Sequence, residues 1–190
     1  MKKQVEIFLP TEYGNFYSSI YPDSEGKEHI LMVHEKTNEE KPVLVRIHSE
    51  CMTGDLFHSL RCDCGYQIRE SMRMISEEGG ILVYLRQEGR GIGLTQKYFA
   101  YKFQDMGYDT IEANEKLGYK ADLRNFAMVA DMLKDRGIRE IRLLTNNLKK
   151  VKEMNDNGIE VVERVPLFTE ANAYNEKYLF VKKEKMGHQL

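Results

Sequence analysis

Cysteine is scarce in this chain and confined to one short stretch. The 190 residues contain three cysteines, Cys51, Cys62 and Cys64, and no tryptophan. The segment after Met1 is too short and too polar for an export signal. An odd number of thiols without such a signal excludes a disulfide-stabilised secreted scaffold and fits a reducing compartment. We therefore expect a cytoplasmic protein whose thiols stay available to a metal.

The chain also lacks a long apolar run and an excess of basic residues. No segment approaches the roughly 20 apolar residues that a membrane-spanning helix needs. Lysine and arginine number 28 against 30 aspartates and glutamates, which gives a formal net charge of −2. A dedicated nucleic-acid binder normally carries a clear basic surplus. We expect neither a membrane nor a nucleic acid as a partner.

Hydrophobic periodicity predicts a mixed α/β fold in one compact domain spanning residues 1–190. The strand-rich N-terminal part has expected strands at 5–9, 15–21, 30–34 and 43–48. A helix from 65 to the pair Gly79-Gly80 precedes a buried strand at 81–85. Further helices are expected at 94–106, 121–136, 147–157 and 171–185, and further strands at 138–144 and 159–165. Such alternation is typical of a layered α/β architecture with a partly parallel sheet.

The clustered thiols predict a soft-metal site, for which Zn²⁺ is the usual occupant. Three ligands favour a catalytic site, because structural zinc is normally closed by four protein ligands. His48 or His58 as a fourth ligand would make the site structural, and three reduced, buried thiols are the remaining alternative. Three thiolates on Zn²⁺ leave a charge of −1, so nearby cations such as Arg46 and Arg61, or a separate base, would have to compensate.

Two turns at the ends of predicted strands are candidates for binding phosphate. Residues 86–93 read RQEGRGIG, and their glycines let the backbone approach an anion while Arg86 and Arg90 offer bidentate contacts. Residues 143–150 read LLTNNLKK. Their threonine and asparagines can simply cap a helix, but two lysines at the same end favour an anion there. Together with the thiols, these turns indicate metal-assisted hydrolysis of a phosphorylated or nucleotide substrate.

Five segments resemble the GTP cyclohydrolase II family of riboflavin biosynthesis. In chain order they read HSECMTGDLFHSLRCDCGYQ, RQEGRGIG, GYDTIEAN, LGYKADLR and RLLTNNLKKV, and the similarity runs from about Val43 to the C-terminal KMGHQL. The resemblance implies that GTP is converted to 2,5-diamino-6-ribosylamino-4(3H)-pyrimidinone 5′-phosphate, formate and pyrophosphate. It also implies one Zn²⁺ per chain, Mg²⁺ with the triphosphate, and a homodimer. Since the chain is too short for the dihydroxybutanone-phosphate synthase domain that some relatives carry, we expect it to be monofunctional.

The resemblance also assigns roles to individual residues. It implies that Cys51, Cys62 and Cys64 bind the zinc ion and that Asp122 is the proton acceptor. Tyr101 matches a tyrosine that lies close to the imidazole-ring chemistry. Arg124 matches a proposed nucleophile toward the α-phosphorus, with electrostatic stabilisation of the transition state as the rival role. The GTP-contacting positions match Arg46, Ile47, His48, Ser49, Glu50, Gln67, Glu88, Gly89, Arg90, Thr110, Thr145 and Lys150.

Two departures from the family pattern and two alternative functions stay open at this point. The turn at 77–81 is one residue shorter than usual, and Gly91 stands where asparagine is common. A related cyclohydrolase could open the guanine ring but stop before releasing formate or pyrophosphate. A zinc-stabilised module could instead bind guanine nucleotides without turning them over.

Overall fold

The computed structural model describes residues 1–169 and 171–186, and its centre is a seven-stranded mixed sheet. The expected strands are all present with small shifts at their ends, and the strand predicted at 81–85 has the expected bounds. The strands are β1 Val5–Thr11, β2 Gly14–Pro22, β3 Glu28–His34, β4 Val43–Ser49, β5 Ile81–Leu85, β6 Glu140–Leu144 and β7 Glu160–Val165. The predicted mixed α/β class is confirmed.

The sheet joins an antiparallel half to a parallel half in the order β1-β2-β3-β5-β4-β6-β7. Strands β1, β2, β3 and β5 pair antiparallel, with Val5 opposite Ile20 and Ile30 opposite Tyr84. Strands β4, β6 and β7 pair in parallel, with Val43 opposite Ile141. The first three strands therefore extend the α/β sheet at one edge, whereas β4 lies inside it between β5 and β6.

The helices agree less well with the sequence prediction than the strands do. Within the described residues they are α1 Met52–Asp55, α2 Cys64–Glu78, α3 Leu94–Asp105, α4 Thr110–Lys116, α5 Ala127–Asp135, α6 Leu148–Asp156 and α7 Glu176–Met186, with a 3₁₀ turn at Glu88–Gly91. The helix predicted at 121–136 was wrong in its first six residues, and Leu123, expected on its apolar stripe, is 46% exposed. Helix α4 was missed, although Asp109 and Glu112 form a reciprocal capping box at its start.

The contacts between residues divide the chain into two compact units. The sheet unit comprises Met1–His48, Ile68–Arg86 and Asn125–Leu167. The cysteine unit comprises Ser49–Gln67, Gln87–Arg124 and the described part of Phe168–Leu190. The expectation of a single domain over residues 1–190 stays a prediction.

The sheet unit has an apolar core on both faces of its sheet. Successive residues of a strand point to opposite faces, so Val43 and Val45 of β4 join one buried cluster while Leu44 joins another. Helix α5 completes the first cluster through Leu133, and helix α2 completes the second through Ile75. None of the described helices is long and apolar enough to cross a membrane.

Candidate functional site

The three thiols converge in the cysteine unit. Cys51 precedes the single turn of α1, and Cys64 is the first residue of α2, so a short loop brings Cys62 between them. All three Sγ atoms lie within 4.8 Å of one another, and those of Cys51 and Cys62 are 3.7 Å apart. A Cβ at position 54 would lie 2.8 Å from Cys62 Sγ, so Gly54 leaves the space that the sulfur atoms occupy.

The donor set fits a metal ion with an open coordination position. The thiols of Cys51 and Cys62 are buried, and sulfur donors suit a soft or borderline cation. Among the described residues, neither His48 nor His58 belongs to the group of close candidate ligand atoms, which consists of the three cysteines. The expectation of a three-cysteine site is therefore confirmed at the level of a cluster that could bind a metal.

A buried lysine supplies the positive charge that such a site requires. Lys97 of α3 lies with its Nζ 3.1 Å from Cys51 Sγ and 2.9 Å from Glu88 Oε1. The pKa of the Cys51 thiol lies far below its ordinary value, because hydrogen bonds from Cys62 and Cys64 and the charge of Lys97 outweigh burial. Burial lowers the pKa of Lys97, but the charge of Cys51 and the bond to Glu88 raise it above its ordinary value overall.

Lys97 was missed by the sequence analysis, which proposed Arg46 and Arg61 as the compensating cations. Arg61 instead donates to Asp105 Oδ1 at 2.6 Å and lies over the Tyr101 ring at 4.5 Å. Arg46 belongs to the sheet unit. The need for a cation was predictable from the thiolate charge, but the helix periodicity of 94–106 gives no sign of which face approaches Cys51.

Glu88 was predicted to contact GTP. In the structure its carboxylate accepts a hydrogen bond from the cysteine loop. Its Oε2 accepts a hydrogen bond from the Met52 backbone N–H at 2.7 Å, and its Oε1 accepts from Gly89 N–H at 2.8 Å as well as from Lys97. The same side chain thereby orders the backbone just after Cys51 and the start of the 86–93 turn.

Tyr101 lies on α3, one helical turn beyond Lys97. Its hydroxyl is 3.4 Å from Thr53 Oγ1, and Lys97 Nζ lies 5.7 Å from the centre of its ring. Burial raises the pKa of Tyr101 to about 12. The phenol therefore keeps its proton at neutral pH and can donate a hydrogen bond close to the thiol cluster.

Arg90 lies in a strained turn, and the two terminal nitrogens of its guanidinium make no hydrogen bond with the described residues. Its φ of +62° is uncommon for a residue with a side chain, and such strain is concentrated at functional sites. Its Nη1 and Nη2 atoms are buried and have no hydrogen-bond partner among the described residues. Gly91, the departure from the family pattern, has φ +93°, and a Cβ there would lie 3.1 Å from Leu123 Cβ. A buried, unsatisfied guanidinium is the expected state of a residue that binds an anion.

Asp122 and Arg124 form a compact ion pair in the segment before α5, and not at a helix start as predicted. Arg124 donates from Nε to Asp122 Oδ1 at 2.9 Å and from Nη2 to Oδ2 at 2.7 Å. Burial opposes the charge, but the Asp122 carboxylate raises the pKa of Arg124 above its ordinary value. The backbone N–H of Leu123 donates to Arg90 O at 3.0 Å, which joins this pair to the 86–93 turn.

The predicted nucleotide contacts of the sheet unit meet at the carboxyl ends of β4 and β6. Lys150 Nζ donates to Ile47 O at 2.7 Å, and Arg46 Nη1 donates to Leu144 O at 3.0 Å. His48 stacks on Tyr84 with ring centroids 5.6 Å apart, and Thr145 Oγ1 accepts from the Asn147 N–H. Ligands of open α/β sheets bind at this end of the strands. The capping role foreseen for the asparagines is confirmed for Asn147, whose Oδ1 accepts from Lys149 N–H.

The remaining predicted contacts belong to the cysteine unit. Ser49 and Glu50 are half-buried just before Cys51, and Thr110 is the first residue of α4. Gln67 lies on the first turn of α2 and donates from Nε2 to Asp63 Oδ2 at 2.5 Å. Asp63 itself, buried between two of the cysteines, is a second residue that the sequence analysis passed over.

The fold and the site define a mixed α/β protein with a cluster of three cysteines that could hold a metal ion. Residues 2–166 match the family model of GTP cyclohydrolase II, and the chain belongs to that family. The match begins well before Val43, where the recognisable motifs start, and ends before α7.

Curated relatives extend the similarity over the whole chain. It is 52% identical over 192 residues to GTP cyclohydrolase-2 of Shigella boydii, covering 100% of this chain and 98% of that protein. It is 54% identical to GTP cyclohydrolase-2 of Haemophilus influenzae over 96% of this chain and 86% of that protein. It is also 52% identical to riboflavin biosynthesis protein RibBA of Chlorobium phaeovibrioides, of which it spans about half, 47% of the length.

Among solved structures, a two-domain enzyme has a similar fold over part of its length. It is RibBX, a two-domain 3,4-dihydroxy-2-butanone 4-phosphate synthase from A. baumannii, with a TM-score of 0.50 and 17% identity. The superposition covers 88% of this chain and 40% of that protein. At this identity the likeness concerns the fold alone.

Proposed function

We propose that this protein hydrolyses GTP to 2,5-diamino-6-ribosylamino-4(3H)-pyrimidinone 5′-phosphate, formate and pyrophosphate, as a step of riboflavin biosynthesis. Membership of the GTP cyclohydrolase II family and relatives named GTP cyclohydrolase-2 support this activity. The observation that carries it is the buried cluster of Cys51, Cys62 and Cys64, because three thiol ligands leave a metal position open for chemistry.

In this proposal Cys51, Cys62 and Cys64 hold one Zn²⁺ per chain. Zinc in an open site is a Lewis acid that activates water, which suits attack on the weakly electrophilic carbon 8 of guanine. Three thiolates carry more negative charge than one Zn²⁺ neutralises. The ammonium group of Lys97, 3.1 Å from Cys51 Sγ, offsets this excess. Glu88 holds Lys97 in place at 2.9 Å.

Tyr101 is the proposed hydrogen-bond donor to the reacting imidazole ring. Its hydroxyl lies beside Thr53, which follows Cys51 by two residues, and burial raises its pKa to about 12, so the phenol stays protonated well beyond neutral pH. A positioned donor of this kind stabilises charge that develops on a ring nitrogen during hydrolysis.

The triphosphate is proposed to bind with Mg²⁺ and to engage Arg90 and Arg124. Arg90 brings two buried guanidinium nitrogens without hydrogen-bond partners among the described residues, and it lies directly after Glu88 and Gly89. Arg124 is held in a two-point ion pair by Asp122, and its pKa is raised by that carboxylate against the effect of burial. A protonated guanidinium is suited to stabilising charge at phosphorus, so we favour the electrostatic role over the covalent one.

The other proposed GTP contacts are positions carried over from the family. Those of the sheet unit are Arg46, Ile47 and His48 near the end of β4, Thr145 directly after β6, and Lys150 of α6, whose Nζ donates to Ile47 O. Those of the cysteine unit are Ser49, Glu50, Gln67, Glu88, Gly89, Arg90 and Thr110. A homodimer is also proposed, and light scattering after size-exclusion chromatography measures it directly.

Product identification after incubating the purified full chain with GTP and Mg²⁺ tests the function. We expect formate, pyrophosphate and the diaminopyrimidine phosphate from wild type, and none of them from a folded Cys64→Ser variant. GTP recovered unchanged would instead assign the protein to nucleotide-binding modules. A ring-opened nucleotide that keeps its formyl group or its triphosphate would assign it to a cyclohydrolase that stops earlier.

A further inference from the structure

A buried carboxylate lies inside the metal-binding loop. Asp63 separates Cys62 from Cys64 in the chain and is 1% exposed. Three thiolates around a divalent cation already carry a net charge of −1, so an ionised Asp63 adds a second negative charge beside them. Buried charges are costly unless they are paired. The loop therefore requires a cation at Asp63 in addition to Lys97, which is hydrogen-bonded to Cys51.

That cation comes from the far end of the chain. Lys182 of α7 places its Nζ 2.5 Å from Asp63 Oδ1, and Lys182 is itself only 7% exposed. The other carboxylate oxygen accepts from Gln67 Nε2 at 2.5 Å, so the Asp63 side chain is fixed from two sides. The contact joins residues 119 positions apart, which makes it a feature of the fold and not of the local loop.

The same helix reaches the phosphate-side turn. The ring of Tyr178 lies one turn before Lys182, with Lys182 Nζ 4.5 Å from its centre. Cζ of Arg90 lies 5.8 Å from the centre of the same ring. Helix α7 thus contacts both the cysteine loop and the strained turn that carries Arg90, although the family model ends at residue 166.

We propose that Lys182 is a positioning residue of the metal centre, which neutralises Asp63 and thereby holds Cys62 and Cys64 in the geometry that retains the ion. The proposal rests on the three-cysteine metal site of the proposed function. Lys182 acts on the ligand cysteines through Asp63, to which its Nζ donates at 2.5 Å, and it also lies over the Tyr178 ring. Removing a residue that hydrogen-bonds near the ligands without binding the metal itself typically lowers metal affinity by about 10–100-fold.

The test measures how fast the zinc-loaded full chain gives up its metal to an excess of a colorimetric zinc chelator. Lys182→Met removes the charge and keeps the length of the side chain, and Lys182→Arg keeps the charge. Lys183→Met is the matched control, because Lys183 is the next residue of α7 and is exposed. Circular dichroism checks that each variant is folded. We expect zinc release from Lys182→Met to be about 10-fold faster or more, with Lys182→Arg and Lys183→Met within about twofold of wild type.

Equal release rates in wild type and folded Lys182→Met would overturn the proposal. Equal acceleration by Lys183→Met would overturn it too, because the effect would then belong to the helix surface in general. If Lys182→Met does not fold, Lys182→Gln takes its place, and a wild-type release rate in that variant has the same meaning. A wild-type chain that takes up no zinc would refute the metal centre itself, whereas normal zinc uptake with unchanged release would refute the role of Lys182 alone.

Discussion

The sheet unit and the cysteine unit bury different kinds of side chain. Both apolar clusters of the protein's described residues lie in the sheet unit, where residues such as Ile47, Leu133 and Ile141 are fully buried. The buried side chains of the cysteine unit include Asp63, Glu88, Lys97 and Lys182, together with two of the thiols. The sheet unit is thus ordered mainly by the hydrophobic effect, and the cysteine unit mainly by paired charges around a candidate metal site.

This difference indicates where function and stability reside. The hydrophobic effect is non-directional and proportional to buried apolar area, so the loss of one contact lowers stability gradually. A network of buried charges holds its geometry only while each charge keeps its partner, and that same geometry is what a metal and an anionic substrate need. We therefore expect changes in the cysteine unit to act on activity and changes in the core of the sheet unit to act on stability.

The largest expected effect follows from removing one thiol. Cys62→Ser should lose the metal and lower formate release by about a thousandfold, since the metal contributes several kcal/mol to transition-state stabilisation. The β-sheet signal in circular dichroism should persist, because no apolar cluster residue is touched. Metal analysis and formate assays check the two parts. A Cys62→Ser protein that remains active while metal-free would break the distinction between the units.

The converse change is made in the sheet unit. Leu133→Ala truncates a fully buried residue of α5 and should lower the free energy of unfolding by about 2–5 kcal/mol. Turnover at low temperature should stay near wild type, because Leu133 belongs to the apolar core. Urea unfolding and initial rates measure the two quantities. The matched change Leu148→Ala, at a residue 44% exposed, should shift stability by no more than about 0.5 kcal/mol.

Tyr101→Phe sharpens the comparison within the cysteine unit. It removes one hydroxyl near Thr53 and keeps the ring, so formate production should fall by about a hundredfold with nearly unchanged GTP affinity. Tyr98→Phe is the matched control on the same helix, since Tyr98 is 51% exposed. Wild-type turnover in Tyr101→Phe would reduce Tyr101 to a packing role.

Arg124→Lys separates the two roles of that arginine. If Arg124 stabilises charge as a cation, the variant should retain pyrophosphate release at about one tenth of the wild-type rate, because an ammonium preserves the charge but not the two-point bond to Asp122. Arg139→Lys, at an exposed position, should be unaffected. Complete loss of pyrophosphate release in a folded Arg124→Lys protein would favour the covalent role.

The smallest expected effect is a pH dependence of stability in the sheet unit. Burial lowers the pKa of His29 and of His34 below the ordinary value of 6.5, despite the opposing pull of Asp23 on His29. A histidine with a lowered folded-state pKa binds its proton more readily when unfolded. The stability of metal-free protein should therefore be full above about pH 6.5 and decline as the pH falls below it.

Thermal unfolding between pH 7.5 and pH 5.5, followed in excess chelator, measures this dependence. His34→Gln should weaken it, because that variant loses one of the two titrating imidazoles. An unchanged midpoint across this pH range would contradict the assignment.

The strands were predictable because their apolar runs are bounded by strong breakers. Residues 81–85 follow two glycines and precede Arg86, and the observed β5 has the same bounds. The start of the helix predicted at 121–136 was wrong because Asp122 binds its own turn, accepting from Arg124 N–H at 2.9 Å. A short polar side chain that bonds the nearby backbone competes with helix formation, and apolar spacing does not reveal this.

The ligands of the candidate site were predictable, whereas their charged partners were not. The spacing of Cys62 and Cys64 is visible in the sequence, because a single residue separates them. Lys97 and Lys182 reach Cys51 and Asp63 from 46 and 119 positions away. A lysine on an ordinary amphipathic or charged helix gives no sequence signal of such a contact, since most lysines there face solvent.

Zinc titration of metal-free protein tests the central claim most directly. The full chain is stripped of metal, refilled in steps, and assayed for formate release from GTP with Mg²⁺ at each step. Activity should rise from near zero and reach its plateau at about one Zn²⁺ per chain, the capacity of a single three-thiolate site. Full turnover in the stripped protein, or no formate at any zinc level, would contradict the account.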